Sequence, residues 1–335
     1  MMEEQNNPVL GVDIGGTKLA AGVVGAGGHL YSYLVVPTPQ EDAESLLGHI
    51  LALARRAISE SGLQPYAVGI GCGGPMEYPA GIVSPLHIPI WKAFPLRMRL
   101  EQDLGLPVIV DNDAKALALG EYIFGAGQGA KCLLAMTIST GVGGGIVTSG
   151  RLLHGASGNA GHIGHVIVNT QGEQCECGAM GCLTCFTSGT GMAQRARKAL
   201  AEGVKSRLAA WPVSEISART IAEAAAEGDN LAQQLWYEAA QSLAIAIAGA
   251  ASLLDLDRVI LGGGLIQAGD FLFGPLRQEW SKYARLSFTR DLQIVPAGLG
   301  QGSGVIGAAA LAFTEFGPGQ PGSLPDMKKN VITNS

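Results

Sequence analysis

The chain has 335 residues and a mass of 34.5 kDa, enough for two lobes with a core each. Apolar residues make up 47% and charged ones 15%, with a net charge of −6, which argues against nucleic acid as a partner, since phosphate binding needs a basic surface. No apolar run reaches membrane-spanning length without charge or turn residues, and the start MMEEQNNPVL is acidic rather than signal-like. The chain is therefore expected to be cytoplasmic, with neither a membrane nor nucleic acid as partner.

The 49 glycines fall in short clusters after apolar, β-branched runs. Val9 to Ile14 reads as a strand that turns at Gly15-Gly16 and returns over Leu19 to Val24. A helical pattern follows over Ala43 to Ser61. The strand in VIVDNDAKALALGEY ends at Asp111-Asn112-Asp113, and a helix over Ala114 to Ile123 begins at once. Leu133 to Ile138 turns at Ser139-Thr140-Gly141 and returns over Gly143 to Val147. Helical patterns recur over Thr190 to Ala201 and over Ala218 to Leu254, the latter broken at Gly228. RVILGGGLI ends an apolar strand at Gly262 to Gly264, and GLGQGSGVIGAAALA opens an Ala-rich helix.

Two similar Gly/Thr hairpins, each opening a half of the chain, predict an internal duplication. The expected organisation is two α/β lobes with a cleft between them. They cover 8–118 and 119–315, with the last helix, about 303–315, able to pack back on the first lobe. The Pro/Gly/polar tail 317–335 is expected to be disordered.

A tight turn without Cβ atoms lets backbone N–H groups approach an anion, and a Thr hydroxyl adds a donor. Any one such turn, taken alone, is better read as a plain hairpin. Asp13 favours the phosphate reading of the first: an acid ending a buried strand is costly unless it binds a cation, typically Mg²⁺ through water. The two turns facing each other would clamp a polyphosphate, and no Walker sequence is present. At Asp111-Asn112-Asp113, helix capping needs only one such residue. A strand end at a cleft is also where α/β proteins place reactive groups. Asp113 could take a hydroxyl proton and Asn112 could hold a neighbouring hydroxyl, and the surrounding motifs favour this over capping alone.

The segment Gly158 to Cys185 holds two histidines and four of the six cysteines. In a reducing compartment such a cluster points to metal rather than to disulfides.

Taken together, these motifs resemble the repressor, open reading frame, kinase (ROK) family of sugar kinases, within the actin-like ATPase (ribonuclease H-like) fold. The resemblance runs from about Val9 to about Phe313 and rests on DIGGTK, DNDAKALALGE, STGVGGGIV, GNAGHIGH with CECGAMGC, and VILGGG in that order and spacing. Some family members are repressors with an N-terminal winged helix. Eight residues precede the first strand here, so no DNA-binding module is expected.

The resemblance implies ATP and Mg²⁺ as cofactors, a small-molecule sugar as partner, and a homodimer or homotetramer. It implies Asp113 as the base for the C6 hydroxyl, with Asn112, His162, His165, Thr184 and Gly74 at the sugar. Asp13 would hold Mg²⁺, and Gly15, Gly16, Thr17, Thr140 and Gly141 would cradle phosphates. Lys18 either joins them or is a solvated lysine, and Gly262, Gly263 and Gly264 would line the adenosine. The family's spacing H-x9-C-x-C-x4-C implies structural Zn²⁺ on His165, Cys175, Cys177 and Cys182, within a zinc loop 165–185. The alternative C-x-C-x4-C-x2-C replaces His165 by Cys185. Cys72 and Cys132 are expected in the core.

This chain also departs from the family. Where glucokinases read G-E-x-G-H it has Gly161-His162-Ile163-Gly164-His165, and where they read G-C-L-E it has Gly181-Cys182-Leu183-Thr184. Two sugar-binding carboxylates have become His and Thr. The first change resembles bacterial N-acetylmannosamine kinases. His87 and Ile90 likewise replace the Asn and Gly of the family's Asn-Leu-Pro-Gly-Trp. Loss of the two acids keeps open an alternative, a catalytically weak sugar-sensing regulator descended from the kinase.

Overall fold

The computed structural model describes residues 7–39 and 41–317, so the tail expected to be disordered lies, from 318 on, outside the described residues. The chain forms two compact units. The first takes the described residues up to Phe124, Ala156–Asn159 and those from Leu299 onward; the second takes Gly125–Gly155 and Ala160–Gly298. The first unit thus runs past the expected boundary at 118. The reason is local: one unbroken helix spans Asp113–Phe124, and its backbone hydrogen bonds keep it in one body.

In the first unit, β1 (Val9–Ile14) and β2 (Lys18–Val24) form a hairpin, β3 (Leu34–Pro37) joins β2, and α1 (Ala43–Ser61) follows. Asp42 starts α1 by accepting from the N–H groups of Glu44 and Ser45, and Gly62 ends it at φ 67°. Next come β4 (Val68–Cys72) and the two-residue strands β5 (Met76–Glu77), β6 (Ile82–Val83) and β7 (Phe94–Pro95), which form a small sheet. Then follow α2 (Leu96–Leu104), β8 (Val108–Asn112) and α3 (Asp113–Phe124). The main sheet has the order β3-β2-β1-β4-β8, with β1, β4 and β8 parallel.

The second unit repeats this plan. β9 (Cys132–Ile138) and β10 (Val142–Thr148) form the hairpin, and β11 (Arg151–Leu152) joins it. The crossover contains α4 (Leu183–Thr187), α5 (Gly189–Ala201), α6 (Ala218–Ala226) and α7 (Asn230–Leu254). β12 (Arg258–Gly262), α8 (Asp270–Tyr283) and β13 (Gln293–Pro296) complete it, giving the order β11-β10-β9-β12-β13. The expected break at Gly228 is real: Gly228 adopts φ 83° and Asp229 caps α7 through the Ala232 N–H. α7 is long and apolar enough to cross a membrane by length and composition, but half of its apolar window is buried, with Leu235, Trp236, Leu243 and Ile247 in this unit's core.

The last helix, α9 (Ser303–Phe316), packs on β1, β4 and α3 of the first unit. Side chains alternate along β1. Leu10, Val12 and Ile14 enter the core beside Leu46 and Ile50, whereas Gly11 and Asp13 face α9. That alternation aims Asp13 at the start of α9.

Candidate active site

Parallel pairing sets the C-terminal ends of β1, β4 and β8 level, with Ile14 opposite Cys72 and Cys72 opposite Asn112. Asp13, Gly74, Asn112 and Asp113 therefore collect at one edge of one sheet, where open α/β sheets carry their ligands. Asn112 Oδ1 accepts from the Ala114 N–H at 3.0 Å and Asp113 Oδ1 from the same N–H at 2.8 Å. Capping leaves each side chain further acceptor lone pairs, so it does not use up either group. A methyl group on Gly74 would touch the Asn112 amide nitrogen at 3.6 Å, so the β4 loop lies directly against Asn112.

Burial, then repulsion from Asp113, pushes the Asp13 carboxyl up to about 6, and Lys18 opposes this. Any side chain at Gly304 would collide with the Asp13 carboxylate, so the N-terminal turn of α9 rests on it. The sequence reading missed this contact, although the GSG ahead of the Ala-rich helix is its signature. Tyr33 was missed as well: burial and the nearby Asp13 raise its hydroxyl. Cys72 is fully buried, and burial followed by Asp113 and Asp13 drives its thiol far up, which makes it an inert core residue. Cys132, partly buried, donates weakly to the Leu254 carbonyl at 3.5 Å.

The Gly15-Gly16-Thr17 turn closes by the Gly15 N–H donating to the Lys18 carbonyl at 3.0 Å. The Thr38 hydroxyl holds it by donating to the Gly15 carbonyl at 2.6 Å. Thr17 and Lys18 are exposed. His87 packs on Gly16, so the loop that departs from the family pattern lies on this turn.

In the second unit, the Ser139 N–H donates to Gly141 at 2.9 Å and the Ser139 carbonyl accepts from Gly189 at 2.7 Å, tying the turn to the start of α5. A cavity of about 690 Å³ opens beside it, lined by Thr140, Thr190, Arg197, Trp236, Gly264 and Gln267 among others. Thr140 and Gly264 were expected at a nucleotide; Gly141, Gly262 and Gly263 are not among the lining residues. Arg197, Trp236 and Gln267 were missed because they lie on separate elements and no local motif joins them.

His165, Cys175, Cys177 and Cys182 bring one ligand atom each to within 4.8 Å of one another. Tetrahedral zinc with Zn–S near 2.3 Å requires S···S of about 3.8 Å and S···N of about 3.5 Å. Cys177 and Cys182 stand 3.7 Å apart at sulfur, and Cys175 Sγ stands 3.7 Å from His165 Nδ1. The donor set and its spacing fit zinc. Short bridges, Ile167 with Cys182 and Gln174 with Met180, fold the loop. Cys185 lies outside this group, with its thiol pushed up to about 12 by burial and then by Cys175. His162 caps the short helix Ile163–His165, its ring centroid 6.4 Å from that of His165. Thr184, half-buried, sits in the first turn of α4.

The chain is 37% identical to a glucokinase of Halalkalibacterium halodurans over 90% of this chain and 94% of that one. It is 36% identical to an N-acetylmannosamine kinase of Shigella flexneri, covering 92% and 99%. A crystal structure of a ROK family glucokinase from Streptomyces griseus in complex with glucose and AMPPNP superposes with a TM-score of 0.77 at 37% identity, covering 91% and 99%. Residues 9–315 match the ROK family as a whole, spanning both five-stranded sheets and the His/Cys loop, and the chain belongs to that family.

Proposed function

We propose that this protein is an ATP-dependent sugar kinase that phosphorylates the C6 hydroxyl of a hexose or N-acylhexosamine, glucose or N-acetylmannosamine. The observation that carries the reading is the grouping of Asp13, Asn112 and Asp113 at the C-terminal edge of one sheet. Asp113 accepts the proton of the C6 hydroxyl as that oxygen attacks the γ-phosphorus, and the bond to the β–γ bridging oxygen breaks to release ADP. Asn112, Gly74, His162, His165 and Thr184 contact the sugar. Gly15, Gly16, Thr17, Lys18, Thr140 and Gly141 hold phosphates, and Gly262 to Gly264 belong to the adenosine side. Asp13 would hold the Mg²⁺ that accompanies ATP, an ion that offsets phosphate charge. Zinc on His165 and the three cysteines would be structural, because four protein ligands close the site. Bound there, it would hold together the loop that follows His162. A cytoplasmic location accords with this chemistry.

ADP release should be measured with purified protein, MgATP and a panel of hexoses and hexosamines, with phosphorus–proton correlation NMR on the product. Sugar-dependent ADP release with phosphate on C6 supports the reading. Sugar binding by calorimetry without sugar-dependent ADP release would replace it with the sugar-sensing alternative.

A further inference from the structure

Lys115 is among the largest fully buried side chains, 1% exposed, and the motif reading assigned it nothing. It lies in the first turn of α3, two residues after Asp113. Its Nζ donates to Asp111 Oδ1 at 2.7 Å and to the Gly158 carbonyl at 3.0 Å, and it stands 5.3 Å from the Tyr78 ring centroid. Asp111, fully buried, accepts on that same oxygen from the Asn112 N–H at 2.7 Å. The ammonium and the Asp111–Asn112 peptide group, the one that leads into Asp113, thus share a single carboxylate oxygen.

A buried ion pair is a poor way to gain stability, since an apolar pair of equal volume holds a helix to a strand as well or better. An apolar side chain cannot donate to the Gly158 carbonyl. That carbonyl belongs to Ala156–Asn159, a short stretch of the first unit flanked on both sides in sequence by the second. Gly158 adopts φ 85°, and a side chain there would run into Tyr78, so the stretch fits tightly where Lys115 holds it.

We propose that Lys115 is a positioning residue for phosphoryl transfer. Through Asp111 it fixes the Asn112–Asp113 corner, and through Gly158 it seats residues 156–159 beside that corner. Its effect on turnover rests on the sugar-kinase reading, whereas the tether itself does not.

Two variants test this, Lys115→Met and the double variant Asp111→Asn/Lys115→Met. The single variant leaves Asp111 buried without its cation and should lower the melting temperature. The double variant removes both charges, keeps an acceptor for the Asn112 N–H, and should recover most of that loss. Assayed well below the lowest melting temperature, the double variant should show kcat/KM for sugar reduced about 10–100-fold, the usual result of misplacing a reacting group, with the ATP KM within about two-fold of the parent. A purely structural lysine would not give that split. Hydrogen exchange should quicken in peptides covering 108–118 and 154–161. A stable double variant with parental sugar kinetics overturns the positioning role. If the parent phosphorylates no sugar, the kinase reading falls and exchange decides alone: an unchanged 154–161 peptide overturns the tether. If Lys115→Met fails to fold, the double variant carries the test.

Discussion

The two five-stranded sheets share one strand order, yet their strand ends carry different chemistry. The first hairpin reads Asp13-Ile14-Gly15-Gly16-Thr17, and the second reads Thr137-Ile138-Ser139-Thr140-Gly141 at the same places. β4 runs into Gly73-Gly74 and β12 into Gly263-Gly264, whereas β8 ends in Asn112-Asp113 and β13 in Pro296-Ala297. The two halves share the scaffold and the permissive glycines, while the acids stand in one. On the proposed function, the first sheet would supply proton transfer and cation binding, while the second carries neutral hydroxyls, with Thr140 lining the cavity. The lesson is that backbone pairing fixes where a site sits, while a few strand-end residues decide its chemistry.

The sharpest test of that asymmetry is Asp113→Asn. It keeps the shape and an acceptor oxygen but cannot take a proton, so kcat should fall by roughly 10²–10⁴-fold, the usual worth of general base catalysis, with sugar affinity largely kept. Turnover near the parent's would remove Asp113 as base and with it the division of labour between the sheets.

The second sheet has its own speciality, the His/Cys loop, and Cys177→Ala should expose it. Metal analysis should find about one zinc per chain in the parent and none in the variant, with sugar binding lost alongside. Losing a metal that binds only the folded loop should lower the melting temperature by on the order of 10 °C. Zinc retained in His165→Ala but lost in Cys185→Ala would replace the ligand set, against the convergence of the four atoms seen here.

What could be read in the sequence follows from which signals are local. The hairpins, α1 and the break between α6 and α7 announce themselves by period, caps and glycines. α8 was not foreseen, because Gly274 and Pro275, both poor helix formers, sit inside it. Its packing on α7 overrides them. Asp13, Asn112 and Asp113 were legible one motif at a time. The contact of α9 on Asp13, the cavity residues Arg197 and Trp236, and the tether at Lys115 were not, since each joins positions far apart in the chain.

Asp13→Asn gives a smaller effect with a defined pH course. Asp13 titrates at about 6 when folded against 3.8 unfolded. Between these values the folded state binds more protons, so stability falls as pH rises from about 4 to 6, and the full cost persists above. Removing the charge should therefore stabilise the metal-free protein at pH 7.5. The pKa difference would be worth about 3 kcal/mol for a fully buried group; partial exposure cuts that to on the order of 1–2 kcal/mol. The gain should shrink below pH 6 and vanish near pH 4 in thermal melts. Mg²⁺ with nucleotide should stabilise the parent more than the variant. A parent as stable as the variant at pH 7.5 would mean that Asp13 is not strained and that the sheets differ less than their strand ends suggest.

The smallest effect probes specificity. Neutral His162 offers one ring donor and one acceptor and no fixed charge, where a carboxylate offers acceptors only. A sugar with an N-acetyl group at C2 presents an amide in place of a hydroxyl, which an imidazole can accommodate and a carboxylate at the same position disfavours. N-acetylmannosamine should therefore be phosphorylated at least as well as glucose. His162→Glu should move the ratio of kcat/KM toward glucose by roughly 3–10-fold, about the value of one rearranged hydrogen bond. The shift stays modest because Thr184 still lacks the second carboxylate, so His162→Glu combined with Thr184→Glu should carry it further. Both ratios are read from kcat/KM for the two sugars in the three proteins. A parent that strongly prefers glucose, or a ratio unmoved by both substitutions, would show that the exposed His162 is not where this kinase reads C2.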